Sequence, residues 1–219
     1  MRKIGFIKEE QRTKLFEKAG IPILNGANLI SIDIQPEYEK AFTFDSFGFG
    51  QMINQNYNEL DSLTFLYNGA DTLGMISEQE YRGWLIEDCG IEEDIIQNSY
   101  FYDKGYAFFR YCMDEGIDDN EIVDLVKFMI KHQINDSRDI DEQMWITFMQ
   151  EYNLSQSSVR DLLENAGDLI NVPDLMEQLQ KYRGKIVLIG GGLKECLKEV
   201  EIALMALNKP YNLFTQYTY

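Results

Sequence analysis

Residues 185–214, KIVLIGGGLKECLKEVEIALMALNKPYNLF, constrain the fold more than any other stretch of the chain. Lys185 to Ile189 is a continuous apolar, β-branched run, the kind of sequence that a strand buried on both faces requires. Gly190, Gly191 and Gly192 then form a tight loop. Residues 193–207 carry apolar side chains at helical spacing, and residues 211–215 read as another strand. Strand, glycine loop, helix and strand make a βαβ unit, which belongs in a parallel sheet.

The preceding chain alternates in the same way. The run from Asn28 to Ile34 reads as a buried strand, with Asp33 at or near its C-terminal edge and Pro36 closing it. Leu63 to Tyr67 reads as a second strand, ended by the Asn68-Gly69 turn, and Phe101-Tyr102 as a short third before Asp103-Lys104-Gly105. Helical patterns cover residues 6–19, the stretch from Phe47 through Tyr57, and residues 78–88, 91–96 and 119–134. Two or three further short helices are expected around Trp145, Leu162 and Leu175. The expected architecture is α/β: a parallel sheet flanked by helices in a Rossmann-like, three-layer arrangement. Residues 1–219 are expected to form a single domain, with 113–184 a helical segment that includes an insertion.

Composition limits the function classes. With 37 acidic against 20 basic side chains, the net charge of −17 repels a phosphate backbone, so no nucleic-acid partner is expected. No stretch approaches the roughly 20 apolar residues a membrane helix needs, so no membrane association is expected either. Cys89, Cys112 and Cys196 are odd in number and widely separated, which points to a reducing, cytoplasmic setting rather than a disulfide framework. His132 is the only histidine. One histidine and three scattered cysteines cannot supply the usual zinc or iron ligands, so neither a metal nor any other cofactor is expected.

In open parallel sheets ligands bind at the C-terminal edges of the strands. Asp33, the loop of Lys104, and the glycine loop ending at Cys196 all fall there. Cys196 lies in the first turn of its helix, where the dipole and a nearby lysine would favour a thiolate. A carboxylate such as Asp33 could accept the thiol proton, and backbone amides of the loop could hold an oxyanion.

These segments resemble those of the isochorismatase-like cysteine hydrolases. That family carries an aspartate near the end of the first strand in a D-x-Q pattern, matched by Asp33-Ile34-Gln35. It has a lysine before an aromatic-rich helix start, resembling Lys104-Gly105-Tyr106-Ala107-Phe108-Phe109. It also has a cysteine after a strand and a glycine-led loop with a non-proline cis peptide, similar in layout to Ile189-Gly190-Gly191-Gly192-Leu193-Lys194-Glu195-Cys196. The resemblance implies hydrolysis of an amide or related C–N bond in a small-molecule substrate. Cys196 would be the nucleophile, Asp33 the proton carrier and Lys104 the stabilising cation. Gln35, Gly191 and Gly192 are the candidate substrate-binding residues, and a homo-oligomer is compatible with this reading. The family's metal-binding branch has histidines after the second strand, where this chain has Asn68-Gly69-Ala70-Asp71.

Plainer readings compete. Cys196 could be a small buried packing residue, Asp33 a strand-end cap, and Lys104 a solvated loop charge. A relative without catalysis could use the same scaffold as an acidic binding or inhibitory protein. A dinucleotide reading of the glycine loop fails, because the third glycine of G-x-G-x-x-G would stand at Glu195. The Asp136-Ser137-Arg138-Asp139 cluster reads as a helix start or ion-pair element, with a substrate lid as the alternative.

Overall fold

The strands follow from their composition. In the computed structural model, which describes residues 24–42, 44–69, 75–104, 112–134, 139–165 and 173–218, five runs form one sheet. They are β1 (Ala27–Ile32), β2 (Ser62–Tyr67), β3 (Tyr100–Asp103), β4 (Lys185–Gly190) and β5 (Tyr211–Phe214). The order is β3-β2-β1-β4-β5, and every pairing is parallel. All six residues of β1 are buried, as a central strand covered on both faces demands.

Eleven residues of α2 (Ser46–Asn56) follow the shorter α1 (Pro36–Phe42), and both lie between β1 and β2. Helices α3 (Glu78–Glu87) and α4 (Glu93–Gln97) join β2 to β3. Between β3 and β4 come α5 (Asp119–His132), α6 (Glu142–Tyr152), α7 (Ser158–Asn165) and α8 (Pro173–Lys181), and α9 (Cys196–Ala206) joins β4 to β5. Caps mark several starts. Ser77 and Glu80 form a reciprocal capping box on α3, while Asp118 and Asp141 accept backbone N–H bonds at the heads of α5 and α6.

The sheet separates two apolar cores. Ile30, Ile32, Ile186, Leu188 and Leu213 face α5, α6, α8 and α9, through Leu125, Phe128, Phe148, Leu179, Val200 and Leu204. Leu29, Phe65, Val187, Ile189 and Phe214 face the other way, against Phe49, Ile53, Tyr81 and Leu85 of α2 and α3. The alternation of neighbours along β1 and β4 between the cores is the period-two pattern of a strand. The result is an α/β/α sandwich. Strand order reverses between β1 and β4, and there the connecting helices change face, the place where open parallel sheets bind ligands at the carboxyl ends of the strands.

One expectation changes at Pro36. The sequence reading ends the strand there, but Pro36 is the first residue of α1, a position where its missing N–H costs nothing. The helix expected over 6–19 and the Gly105–Phe109 start lie outside the described residues, as do Asp71 and residues 136–138 of the 136–139 cluster. Between β3 and β4 the described residues contain helices and no strand.

Candidate active site

Three strand ends converge. The Asp33 backbone N–H donates to Leu66 O at 2.9 Å, extending the β1–β2 ladder by one step. The Lys104 N–H likewise donates to Tyr67 O at 2.7 Å, extending β2–β3. Asp33 and Lys104 therefore flank the end of β2 on the carboxyl edge of the sheet. Asp33 has φ +48°, a left-handed conformation that is uncommon outside glycine and is best tolerated by Asn and Asp. A residue held this way immediately after a strand is a frequent companion of functional sites.

Lys104 is no solvated loop charge. Its side chain is 3% exposed, with Nζ 3.2 Å from Asp33 Oδ2 and 2.8 Å from Glu199 Oε2, and both carboxylates are fully buried. Glu199 stands one helical turn beyond Cys196 on α9, so the two side chains share a face. Lys104 thus ties the β3 edge to the helix that carries the cysteine. Burial alone would push its ammonium toward neutrality. Asp33 and Glu199 outweigh burial and hold the ammonium charged well above the ordinary lysine range.

Cys196 reaches the same place from β4. The glycine loop lets it do so: Gly190 has φ +84°, and a Cβ there would sit 2.6 Å from Ile32 O. Gly191 has φ +69°, and its Cβ would press on Ile32 and on the Leu197 amide at 3.1 Å. Both glycines pack against the end of β1, and Gly192 is buried beside Glu195. Gly192 O accepts from the Glu195 and Leu197 amides, closing the turn that opens α9. Those two amides are therefore engaged in the loop itself. All described peptide bonds are trans, so the cis peptide of the family pattern is absent from this loop.

The Cys196 thiol lies within electrostatic reach of the Asp33 carboxylate. Its ionisation differs from the sequence reading, in which the helix N-terminus and Lys104 depress it. Burial first, then the Asp33 charge, push the thiol well above the ordinary cysteine range, and Lys104 only partly offsets them. Cys196 is 7% exposed. Cys89 and Cys112 are fully buried thiols distant in the sheet's two cores, each pushed up chiefly by burial.

Gln35 is wholly buried and spans two strand ends. Its Oε1 accepts from the Asn68 N–H at 2.7 Å, and its Nε2 donates to Asn68 O at 3.2 Å. In this structure its amide braces the end of β2. Two residues that the sequence reading did not single out complete the site. Glu199 had a legible signal: an acid one turn past the cysteine among Leu197, Val200, Ile202 and Ala203, on a helix face with no reason to be polar. Tyr38, on α1, is half-buried, and its phenol is pushed up to about 12 by burial and then by the charges of Asp33 and Cys196. It was hidden because Pro36 read as a stop rather than as a helix start.

No family model, no curated protein and no solved structure matches this chain. The site is accordingly read from its own chemistry. It has a thiol in the field of a carboxylate, a buried ammonium shared by two carboxylates, and a half-buried phenol that feels the same charges. Among the described residues no cluster of three or more His, Cys, Asp or Glu side chains is arranged to hold a metal ion. No described helix is long and apolar enough to cross a membrane.

Proposed function

We propose that this protein is a cysteine hydrolase of the isochorismatase-like kind, cleaving an amide or related C–N bond of a small molecule. The observation that carries the reading is the buried Lys104–Asp33 ion pair at the carboxyl edge of a parallel sheet, with the Cys196 thiol in the field of both. As Cys196 Sγ attacks the carbonyl carbon, Asp33 takes the thiol proton, so no free thiolate needs to accumulate beforehand. Lys104 balances the negative charge that develops on sulfur and oxygen. Collapse of the tetrahedral adduct breaks the C–N bond, and Asp33 returns the proton to the departing nitrogen. A water molecule, deprotonated by Asp33, then attacks the thioester, releasing the acid and restoring the thiol.

Amine release from a panel of small carboxamides and ureides tests this. Turnover should be abolished by Cys196→Ala and by Asp33→Asn. Asp33→Asn removes the charge that raises the thiol, so it should speed alkylation of Cys196 at fixed pH while turnover disappears. In the wild type, with the thiol above its ordinary range, alkylation should be slow at pH 7 and climb about tenfold per pH unit. Wild type and Cys196→Ala releasing amine equally would overturn the proposal. A second reading has its own support in the elevated thiol: a relative without catalysis, serving as an acidic binding or inhibitory protein. Absence of turnover across the panel would favour it.

A further inference from the structure

Along β1 the faces alternate. Leu29 lies in the core against α2 and α3, whereas Ile30 and Ile32 lie in the core against α9. A regular strand would continue the pattern, with Asp33 on the α2–α3 side and Ile34 beside Ile32. The chain does the opposite. Ile34 is wholly buried in the α2–α3 core, two residues from Ile32 yet on the other face of the sheet. The Asp33 carboxylate instead shares Lys104 Nζ with Glu199, a residue of α9. The left-handed Asp33, at φ +48°, is where the faces exchange.

Two features hold the exchange. Gly190 makes room for it: a Cβ there would lie 2.6 Å from Ile34 Cγ1, so a larger residue would press Ile34 off its face. Tyr81 of α3 supplies the other. It is wholly buried, and its ring is fixed among Phe65, Tyr67, Trp84 and Phe101, whose centroids lie 6.1, 5.2, 6.2 and 5.9 Å away. A hydroxyl in such surroundings needs a partner, and Tyr81 donates to Ile34 O at 2.7 Å. That oxygen belongs to the residue just past the left-handed one. Returning Asp33 to an extended backbone would rotate the Ile34 carbonyl away from the phenol and break a hydrogen bond buried in an apolar core.

We infer that Tyr81 is a positioning residue of the site, its hydroxyl latching the Ile34 carbonyl so that Asp33 presents its carboxylate to Lys104. The inference rests on the hydrolase reading for the role of Asp33 as proton carrier, and goes beyond it by naming what aims that carboxylate. Tyr81 touches neither Lys104 nor substrate in this account; it acts through the backbone of β1.

Tyr81→Phe keeps the ring and deletes the latch. The readout is the alkylation rate of each cysteine by iodoacetamide at about pH 8, followed by mass spectrometry of the three peptides. In the wild type the Asp33 charge disfavours the Cys196 thiolate. Tyr81→Phe should loosen that charge and speed Cys196 by at least about threefold, half a pH unit on its profile, without exceeding the rate of Asp33→Asn. In an Asp33→Asn background the same substitution should change nothing, because no charge is left to move. Cys89 and Cys112, buried in the two cores, report general loosening of the fold and should keep their wild-type rates. An unchanged Cys196, an equal gain in the Asp33→Asn background, or a matching gain at Cys89 and Cys112 overturns the inference. The wild type supplies a check that needs no variant to fold. Nuclear Overhauser contacts should join the Ile34 methyls to aromatic protons of the α2–α3 core, and contacts to Leu197 of α9 instead would overturn the exchange of faces. The two readings also fail separately. A selective gain at Cys196 in a protein that hydrolyses no carboxamide removes the hydrolase reading and leaves the latch. Carboxamide turnover, with kcat and Cys196 reactivity both unchanged by Tyr81→Phe, does the reverse.

Discussion

Replacing Lys104 by Met keeps the length of the side chain and removes the charge on which Asp33 and Glu199 converge. At an effective dielectric of about 20, unit charges separated by the observed 2.8 and 3.2 Å attract by about 6 and about 5 kcal/mol. Much of that is offset by dehydrating three ions, which costs several kcal/mol apiece. The variant, however, recovers little of the offset, because both carboxylates stay buried after the ammonium is gone. Breaking a buried pair in this way typically costs about 3–5 kcal/mol. For a chain of this size that corresponds to a fall in Tm of roughly 6–20 °C. Urea unfolding of Lys104→Met, Glu199→Gln and the double variant would measure it. The double variant should lose clearly less stability than the two single losses added together, by at least about 1 kcal/mol, because Glu199→Gln removes one of the charges that Lys104→Met strands. Strict additivity, or a Lys104→Met loss below about 1 kcal/mol, would refute the buried triad as an energetic unit.

Two further outcomes follow from the same geometry. Gly190→Ala should destabilise the protein by more than about 1–3 kcal/mol, the cost of left-handed strain alone, because its Cβ also collides with Ile32 O at 2.6 Å; an unchanged urea midpoint would contradict this. Gln35→Leu should cost about 1–3 kcal/mol by leaving the Asn68 N–H and carbonyl oxygen without their partner, so a variant that loses substrate affinity but no stability would show that Gln35 binds substrate instead.

The centre of the sheet was legible because β1 and β4 carry β-branched apolar residues on both faces, and that property survives without tertiary information. The run at 185–189 and the glycines after it placed β4 and the start of α9 within a few residues. The helices between β3 and β4 were legible from caps and spacing, although their packing on one face was not. Lys104 shows where such reading stops. A lysine in a loop is ordinarily solvated, and only the partners supplied by β1 and α9 make its burial possible. The protonation of Cys196 was misjudged for a related reason. Helix position and a lysine are visible locally, but the burial and the Asp33 charge that outweigh them are supplied by residues far along the chain.

The central position of β1 also bears on how the chain is made. β2 can dock on one of its edges soon after both have been synthesised, but the other edge belongs to β4, which emerges only after the four helices α5 to α8. Through that interval a strand buried on both faces in the finished fold presents an open row of N–H and C=O groups, a template for pairing with the wrong chain. The helices that fold in the meantime are those of the α9-side core, and they can cover one face of β1 but not its edge. A nascent chain halted before Lys185 should therefore depend on chaperones far more than the finished protein does.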